Sequence, residues 1–593
     1  YEDNFAKLPM LTLAWPTVEL YHKDVYALDI LTEYISQGKK APLNQILVDD
    51  LKLTASTSMG SYTSELAGQI QLSIRGFANV DLNEINEGIK KGFEKFENEG
   101  ISEKDLNRIK AGLETQFYNS LSSVLGKGTN LASFNTYAND PGFINKEITN
   151  TLAVKTEDVI RVYNTYIKGK NFIATSFVPK GMAKLAIKGS EEAIIKEEKI
   201  IQGAEETFDP KIAANYDKTP SKIDRATEPP YGKSPSLSVP TVWENQLSNG
   251  IKVYGIENSE VPLVRFNLVI DGGQLLEKMD KLGVANLTAH LMNKGTKNKT
   301  VAELEEAIQD LGASIFVSAS KESISISGNS LAKNYVKTLQ LVEEILLEPR
   351  WDETEFDLLK KSVVGNLRQQ EANPNSITQN IYNELIYGKD NIRSKNTLGT
   401  IESVDKITIE DVKEFYTNYL SPSVAKMHVV GDINQDVVVS SLASLDTKWI
   451  AKEVTIPEYK TPEAPNKPTV YFYDVPKSKQ SVISFGAPAL AATDADYYPA
   501  TVMNYILGGG GFASQLTQEL REGKGYTYGI GSGFSGSKAV GAFTISSRVR
   551  TNVSLESAQL VKKIITDYPI NYSEKDLETT KGFLIKSNAR AFE

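Results

Sequence analysis

Two spacings of apolar residues alternate along the chain. Runs with apolar positions three and four apart mark amphipathic helices, and short runs of apolar–polar alternation mark strands. Ile251-Lys-Val-Tyr-Gly-Ile and Leu263–Ile270 read as strands around a Glu-Asn-Ser-Glu turn. Helical patterns follow at 283–293 and 301–311, then strands at Ala313–Ala319 and Ser323–Ser327. Helices are expected next near 334–348, 352–371, 376–387 and 409–420. Strands mixed with helices in this order predict an α+β layer, with helices packed on one face of a mixed sheet.

The pattern repeats. Ile101-Ser-Glu-Lys-Asp-Leu-Asn-Arg-Ile-Lys-Ala-Gly-Leu113 recurs as Tyr572-Ser-Glu-Lys-Asp-Leu-Glu-Thr-Thr-Lys-Gly-Phe-Leu584, with a looser copy at Asp352–Lys361. Each opens with Ser or Asp followed by acids, the signature of an N-capped helix. Thr156-Glu-Asp-Val-Ile-Arg-Val-Tyr-Asn-Thr-Tyr-Ile167 likewise matches Ile409–Leu420, and both lead into β-rich runs, Asn171–Val178 and Ala425–Val430. A period this long marks duplicated domains and not a solenoid. The last copy stops soon after its Ser-Glu-Lys-Asp-Leu segment, so the C-terminal domain is expected to lack its final helices and strand. Expected boundaries are 1–185, 243–455 and 456–593, with a charged, Pro-rich linker at 186–242.

Composition narrows the chemistry. The chain of 593 residues has a formal net charge of −10, which argues against nucleic acid as its main partner. No apolar run is long enough to span a membrane. The absence of cysteine excludes disulfides, thiolate metal sites and cysteine nucleophiles, and only three histidines are present. The four glycines Gly508–Gly511 lack the Gly-Lys-Ser/Thr of a phosphate loop. The N-terminus, Tyr1-Glu-Asp-Asn-Phe-Ala-Lys-Leu-Pro, shows neither a signal-peptide pattern nor an initiator Met, and the chain reads as an excerpt of a longer one.

The most informative helix is Gly283-Val-Ala-Asn286-Leu-Thr-Ala289-His290-Leu-Met-Asn-Lys294-Gly295-Thr296. Asn286 and His290 stand at i and i+4, the spacing by which two histidines on one helix hold zinc. With the preceding hairpin, this segment resembles the insulinase/pitrilysin (inverzincin) family of zinc peptidases. Their His-x-x-Glu-His helix sits in the same Gly…Lys-Gly-Thr frame, with two histidine ligands and a glutamate that activates water. The resemblance places Asn286 at the first ligand, Ala289 at the general base and His290 at the second ligand. Asn366 takes the position of the family's third ligand, a glutamate. A carboxamide lacks a carboxylate's charge and alanine cannot take a proton, so this helix is expected to hold no metal. His290 reads as a satisfied interior or cleft histidine; His22 and His428 carry no functional expectation.

A second constellation lies near the C-terminus. Ile506-Leu-Gly508-Gly-Gly-Gly511-Phe-Ala-Ser-Gln-Leu-Thr-Gln-Glu-Leu-Arg521, followed by Gly525-Tyr-Thr-Tyr528, resembles the family's Gly-rich turn, Leu-Arg and Gly-x-x-Tyr. By that resemblance, Arg521 and Tyr528 reach the substrate, the arginine through its planar donors and the tyrosine toward the oxyanion. Pro42-Leu-Asn-Gln-Ile-Leu47-Val48 aligns with Gln515–Arg521, placing Val48 opposite Arg521 and Ala55 opposite Tyr528. The polar pair therefore belongs to one copy only.

The resemblance implies domains two to four of a two-half protein that closes like a clamshell on unfolded peptides. Zinc would be held by a first domain outside this chain, and this chain alone is expected to cut nothing. Implied partners are the peptide substrate and that catalytic domain or an active partner subunit. The implied location is periplasmic or in the cell envelope. The other reading kept open is a proteolytically inactive partner or scaffold subunit of the same family.

Overall fold

The computed structural model describes residues 1–195 and 238–588, with residues 220, 224, 226, 227 and 230 between them. Most of the expected linker, and the last five residues, lie outside the described residues.

Three sheets form. The first comprises β1 (Glu2–Asp3), β2 (Met10–Thr17), β3 (Ser58–Thr63), β4 (Gly68–Arg75) and β5 (Ile173–Pro179), in the order β1-β5-β2-β4-β3. The second comprises β6 (Trp243–Gln246), β7 (Lys252–Glu257), β8 (Leu263–Asp271), β9 (Ser314–Ala319), β10 (Ser323–Leu331) and β11 (Ala425–Gly431), in the order β6-β7-β11-β8-β10-β9. Each holds one parallel pair, β1 with β5 and β7 with β11, in an otherwise antiparallel ladder. The third, β12 (Gln480–Pro488), β13 (Thr527–Phe534) and β14 (Ala542–Arg550), runs in the order β12-β14-β13 and is antiparallel throughout. Its order reproduces β2-β4-β3 of the first sheet, which is the duplication read from sequence.

Alternation produces these sheets. In β4, Ile70, Leu72 and Ile74 are fully buried while Gln69 and Arg75 face outward. Period-two side chains give each sheet one apolar face, and the helices close that face over a separate core. The expected caps form as well. Ser102 Oγ accepts from the Asp105 N–H at 3.1 Å, and Ser573 Oγ accepts from the Asp576 N–H at 3.2 Å. Asp352 accepts from the Thr354 and Glu355 amides at 2.9 and 3.1 Å. Caps of this kind each contribute about 1 kcal/mol.

The chain divides into two compact units. One gathers residues 1–194, 241–373 and 395–458, and so holds the first two sheets. Within it, Lys40 and Arg108 pair with Glu306 at 2.8 and 3.0 Å. The other unit holds the third sheet and residues 374–394. Its Tyr382 hydroxyl lies 2.8 Å from Thr544 Oγ1, which seats the helix Pro374–Tyr387 on that sheet.

Candidate functional site

The degenerate zinc helix is Val284–Met292. It begins at Gly283, whose φ of +98° suits only glycine without strain, and whose added Cβ would stand 2.6 Å from the Leu398 carbonyl. Glu277 closes this end: its carboxylate accepts from the Gly283 and Ala285 amides at 3.0 and 2.8 Å. Burial pushes the Glu277 carboxyl up to about 8, while the two N–H donors pull the other way. Sequence reading passed over Glu277, and its position six residues before a helix-opening glycine was the available signal.

Eight of the helix's nine residues are buried. Ala289 is fully enclosed, and Asn286 is 6% exposed with its Oδ1 lacking a hydrogen-bond partner among the described residues. His290 is the exception: of the expected interior or cleft position, the interior alternative is corrected, because the residue is exposed on the one helix position turned away from the core. Its Nδ1–H donates to the Asn286 carbonyl at 2.8 Å. Asn366 is exposed on the helix Glu353–Gln370.

Zinc requires three charged or imidazole donors converging on one point. Here the first position is a neutral amide and the base position is a methyl group. Among the described residues no group of three or more His, Asp or Glu side chains could hold a metal ion. The residues present do not fit zinc.

The second constellation is built differently. The chain passes through a π-turn at Tyr505–Gly509 and a short 3-10 turn at Gly511–Ala513. One turn of α-helix at Gln515–Thr517 then opens into a second π-turn at Gln518–Gly523. Leu516 and Leu520 are fully buried and anchor this segment to the third sheet's core. Arg521 projects from the π-turn with its side chain 34% exposed and its Nε 3.4 Å from Glu522. Its guanidinium carbon lies 4.4 Å from the centre of the Phe512 ring. Tyr528, at the start of β13, is 89% exposed. π-turns concentrate at functional positions because the extra residue bulges a side chain out of helical register.

The N-terminal copy has the same backbone: one helical turn at Pro42–Asn44, then a π-turn at Gln45–Asp50. Leu43 and Leu47 take the places of Leu516 and Leu520, and both are fully buried. Val48 is 7% exposed where Arg521 projects. Phe512 was visible in the Gly-rich segment, but the glycines around it drew the reading toward the turn and away from the ring. A cavity of about 830 Å³, lined in part by Lys39, Arg108 and Glu306, contains none of the predicted site residues.

Family models decide the relationship. The insulinase (peptidase family M16) model matches residues 252–395, which include the degenerate helix. The peptidase M16 inactive-domain model matches residues 1–113 and 406–584. The chain belongs to peptidase family M16. Family M16 is a family of zinc metallopeptidases, and most of the matched length here is its inactive type of domain.

Among curated relatives, the non-peptidase homolog YmxG of Helicobacter pylori is 24% identical over 336 residues, covering 56% of this chain and 76% of that protein. An uncharacterized zinc protease of Streptomyces coelicolor is 23% identical over 309 residues, covering 51% and 67%. A solved peptidase M16 inactive domain from Pseudomonas fluorescens superposes with a TM-score of 0.55 at 25% identity, over 59% of this chain and 87% of that one. The periplasmic protease PqqL from Escherichia coli matches in fold over 98% of this chain and 65% of its own, with a TM-score of 0.51 at 12% identity. The family and the mixed α/β architecture expected from sequence are thereby borne out.

Proposed function

We propose that this M16 chain is the metal-free portion of a zinc metalloendopeptidase that cleaves unfolded peptides in a closed chamber, and that Arg521 and Tyr528 contact the substrate. The observation that carries this reading is the half-buried Arg521 on a π-turn whose N-terminal twin carries the fully packed Val48 at the same position. Arg521 offers parallel N–H donors to a peptide carbonyl or carboxylate. Tyr528 can donate its O–H to the oxyanion that forms as the scissile carbonyl is attacked, and such a donor matters most where charge develops. Its exposure fits a group that meets its partner only when substrate is present. The metal and the base belong to a domain outside residues 1–593, and opening and closing of the chamber gates substrate entry.

We place the protein in the periplasm or cell envelope. This is supported by the likeness to a protease described as periplasmic. No helix among the described residues is long and apolar enough to cross a membrane.

One observation favours a second reading, a peptide-binding partner or scaffold without cleavage: the Helicobacter pylori relative is described as a non-peptidase homolog. The coding sequence upstream of Tyr1 separates the two. An intact His-x-x-Glu-His with a later ligand glutamate is the expected result. A second degenerate helix there would overturn the peptidase and leave the scaffold.

A further inference from the structure

We infer that Phe512 is a positioning residue: it fixes the plane of the Arg521 guanidinium so that a planar oxygen acceptor of a bound peptide is met edge-on. This rests on the reading of Arg521 as a substrate contact and adds a residue to that site.

Phe512 is 64% exposed, yet singly exposed rings are ordinary on protein surfaces, so exposure alone decides nothing. What sets it apart is the cation above it. The 4.4 Å between guanidinium carbon and ring centre falls inside the ~6 Å reach of a cation–π contact. With its central carbon over the ring and its Nε 3.4 Å from Glu522, the guanidinium keeps its two terminal nitrogens for a ligand, and a contact across the ring leaves its own plane as the approach. That geometry matches a carbonyl or carboxylate oxygen and not a bulky group stacked from above.

The loop holding the ring is tied to the turn holding the cation. Gly511 takes φ +61° with no heavy atom within 4 Å of an added Cβ, so backbone conformation and not crowding requires glycine there. Ser514 Oγ donates to the Gly511 carbonyl at 2.8 Å. Gln518, the first residue of the π-turn, donates its Nε2–H to the Phe512 carbonyl at 2.6 Å. Ring and guanidinium are therefore carried by one hydrogen-bonded segment.

The N-terminal copy varies both residues together. Gly38, at φ +81°, occupies the position of Gly511, and the next residue is Lys39, where the C-terminal copy has Phe512. Lys39 pairs with Asp49 and Glu355 at 2.6 and 2.5 Å. The copy without the arginine also lacks the ring, as expected if the ring serves the arginine.

The test measures binding of a fluorescein-labelled unstructured peptide to the full chain by anisotropy, with Phe512→Leu, Phe512→Tyr and Arg521→Ala beside the wild type. Phe512→Leu is expected to weaken binding about two- to five-fold, and Phe512→Tyr to retain it, because only an aromatic face attracts the cation. Both variants should keep the wild-type thermal midpoint, since among the described residues the ring belongs to no core cluster. Wild-type affinity in Phe512→Leu, with binding weakened in Arg521→Ala, overturns the positioning role alone. Unchanged binding in Arg521→Ala, or no binding by the wild type, overturns the substrate-contact reading and this inference with it. Repeating the series with a C-terminally amidated peptide identifies the acceptor. Equal loss on both forms assigns it to backbone carbonyls, and loss confined to the free acid assigns it to the terminal carboxylate.

Discussion

In the N-terminal copy the backbone leaves Gly38 at φ +81°, makes one helical turn at Pro42–Asn44 and enters a π-turn at Gln45–Asp50. In the C-terminal copy it leaves Gly511 at φ +61°, makes one turn at Gln515–Thr517 and enters a π-turn at Gln518–Gly523. Inward-facing residues agree in kind: leucines at 43 and 47 answer leucines at 516 and 520. Residues at the candidate site positions do not, with Lys39, the buried Val48 and Ala55 against Phe512, Arg521 and Tyr528. The shared part is what a core demands. In the part that differs, Val48 is packed and Lys39 ion-paired in one copy while Arg521 and Phe512 meet each other in the other, and that is where function is to be sought.

The largest expected effect tests the shared part. Leu47→Ala and Leu520→Ala each remove a fully buried side chain. Each should lower the stability of its own domain by about 2–5 kcal/mol in denaturant unfolding. A large loss in one copy and none in the other would break the equivalence of the two turns.

A smaller effect belongs to the N-terminal copy alone. Asp29 lies on the helix Val25–Ser36, at the position of Val502 in the other copy, and burial pushes its carboxyl up to about 6. Below its unfolded value the residue is protonated in both states. As pH rises toward 6 the unfolded chain releases the proton first, so folding stability falls. The drop is at most about 3 kcal/mol. Asp29→Asn should flatten that dependence, measured by unfolding between pH 4 and pH 7, without altering the C-terminal domain.

The smallest stability effects separate the equivalent pair Val48 and Arg521. Val48→Ala should cost about 1–2 kcal/mol, because two methyl groups leave a buried position. Arg521→Ala should change stability by less than about 0.5 kcal/mol. Its expected effect is on peptide affinity, a loss of about tenfold or more for a charge-assisted hydrogen bond. Equal stability losses at the two positions would make Arg521 a structural residue.

How much was legible from sequence follows the same division. Most strand and helix positions in 251–420 came out within a residue or two, because alternation and caps at Asp352 and Thr408 are local signals, but the strand expected at Ser323–Ser327 runs on to Leu331 and the helix Ile401–Lys406 was not expected. The duplication was legible because Ser-Glu-Lys-Asp-Leu specifies a cap and a buried face together. The exposure of His290 was not legible. Helical spacing groups it with Asn286, but which edge of a nearly all-apolar helix meets solvent is set by tertiary packing. The two matching π-turns at Gln45–Asp50 and Gln518–Gly523 were not legible, since nothing in Gln-Ile-Leu-Val or Gln-Glu-Leu-Arg marks an i→i+5 bond. Glu277 and Phe512 were passed over because each works through a contact that only the fold brings together.

The most direct test of the central claim converts one copy's surface into the other's. Arg521→Val with Tyr528→Ala gives the C-terminal turn the residues its twin carries at these two positions and leaves Leu516 and Leu520 in place. Binding of a fluorescein-labelled unstructured peptide to the full chain is then compared between wild type and this double variant. The prediction is an unchanged thermal midpoint with affinity lowered about tenfold or more. Equal affinity in the two proteins would contradict the assignment of Arg521 and Tyr528 to the substrate.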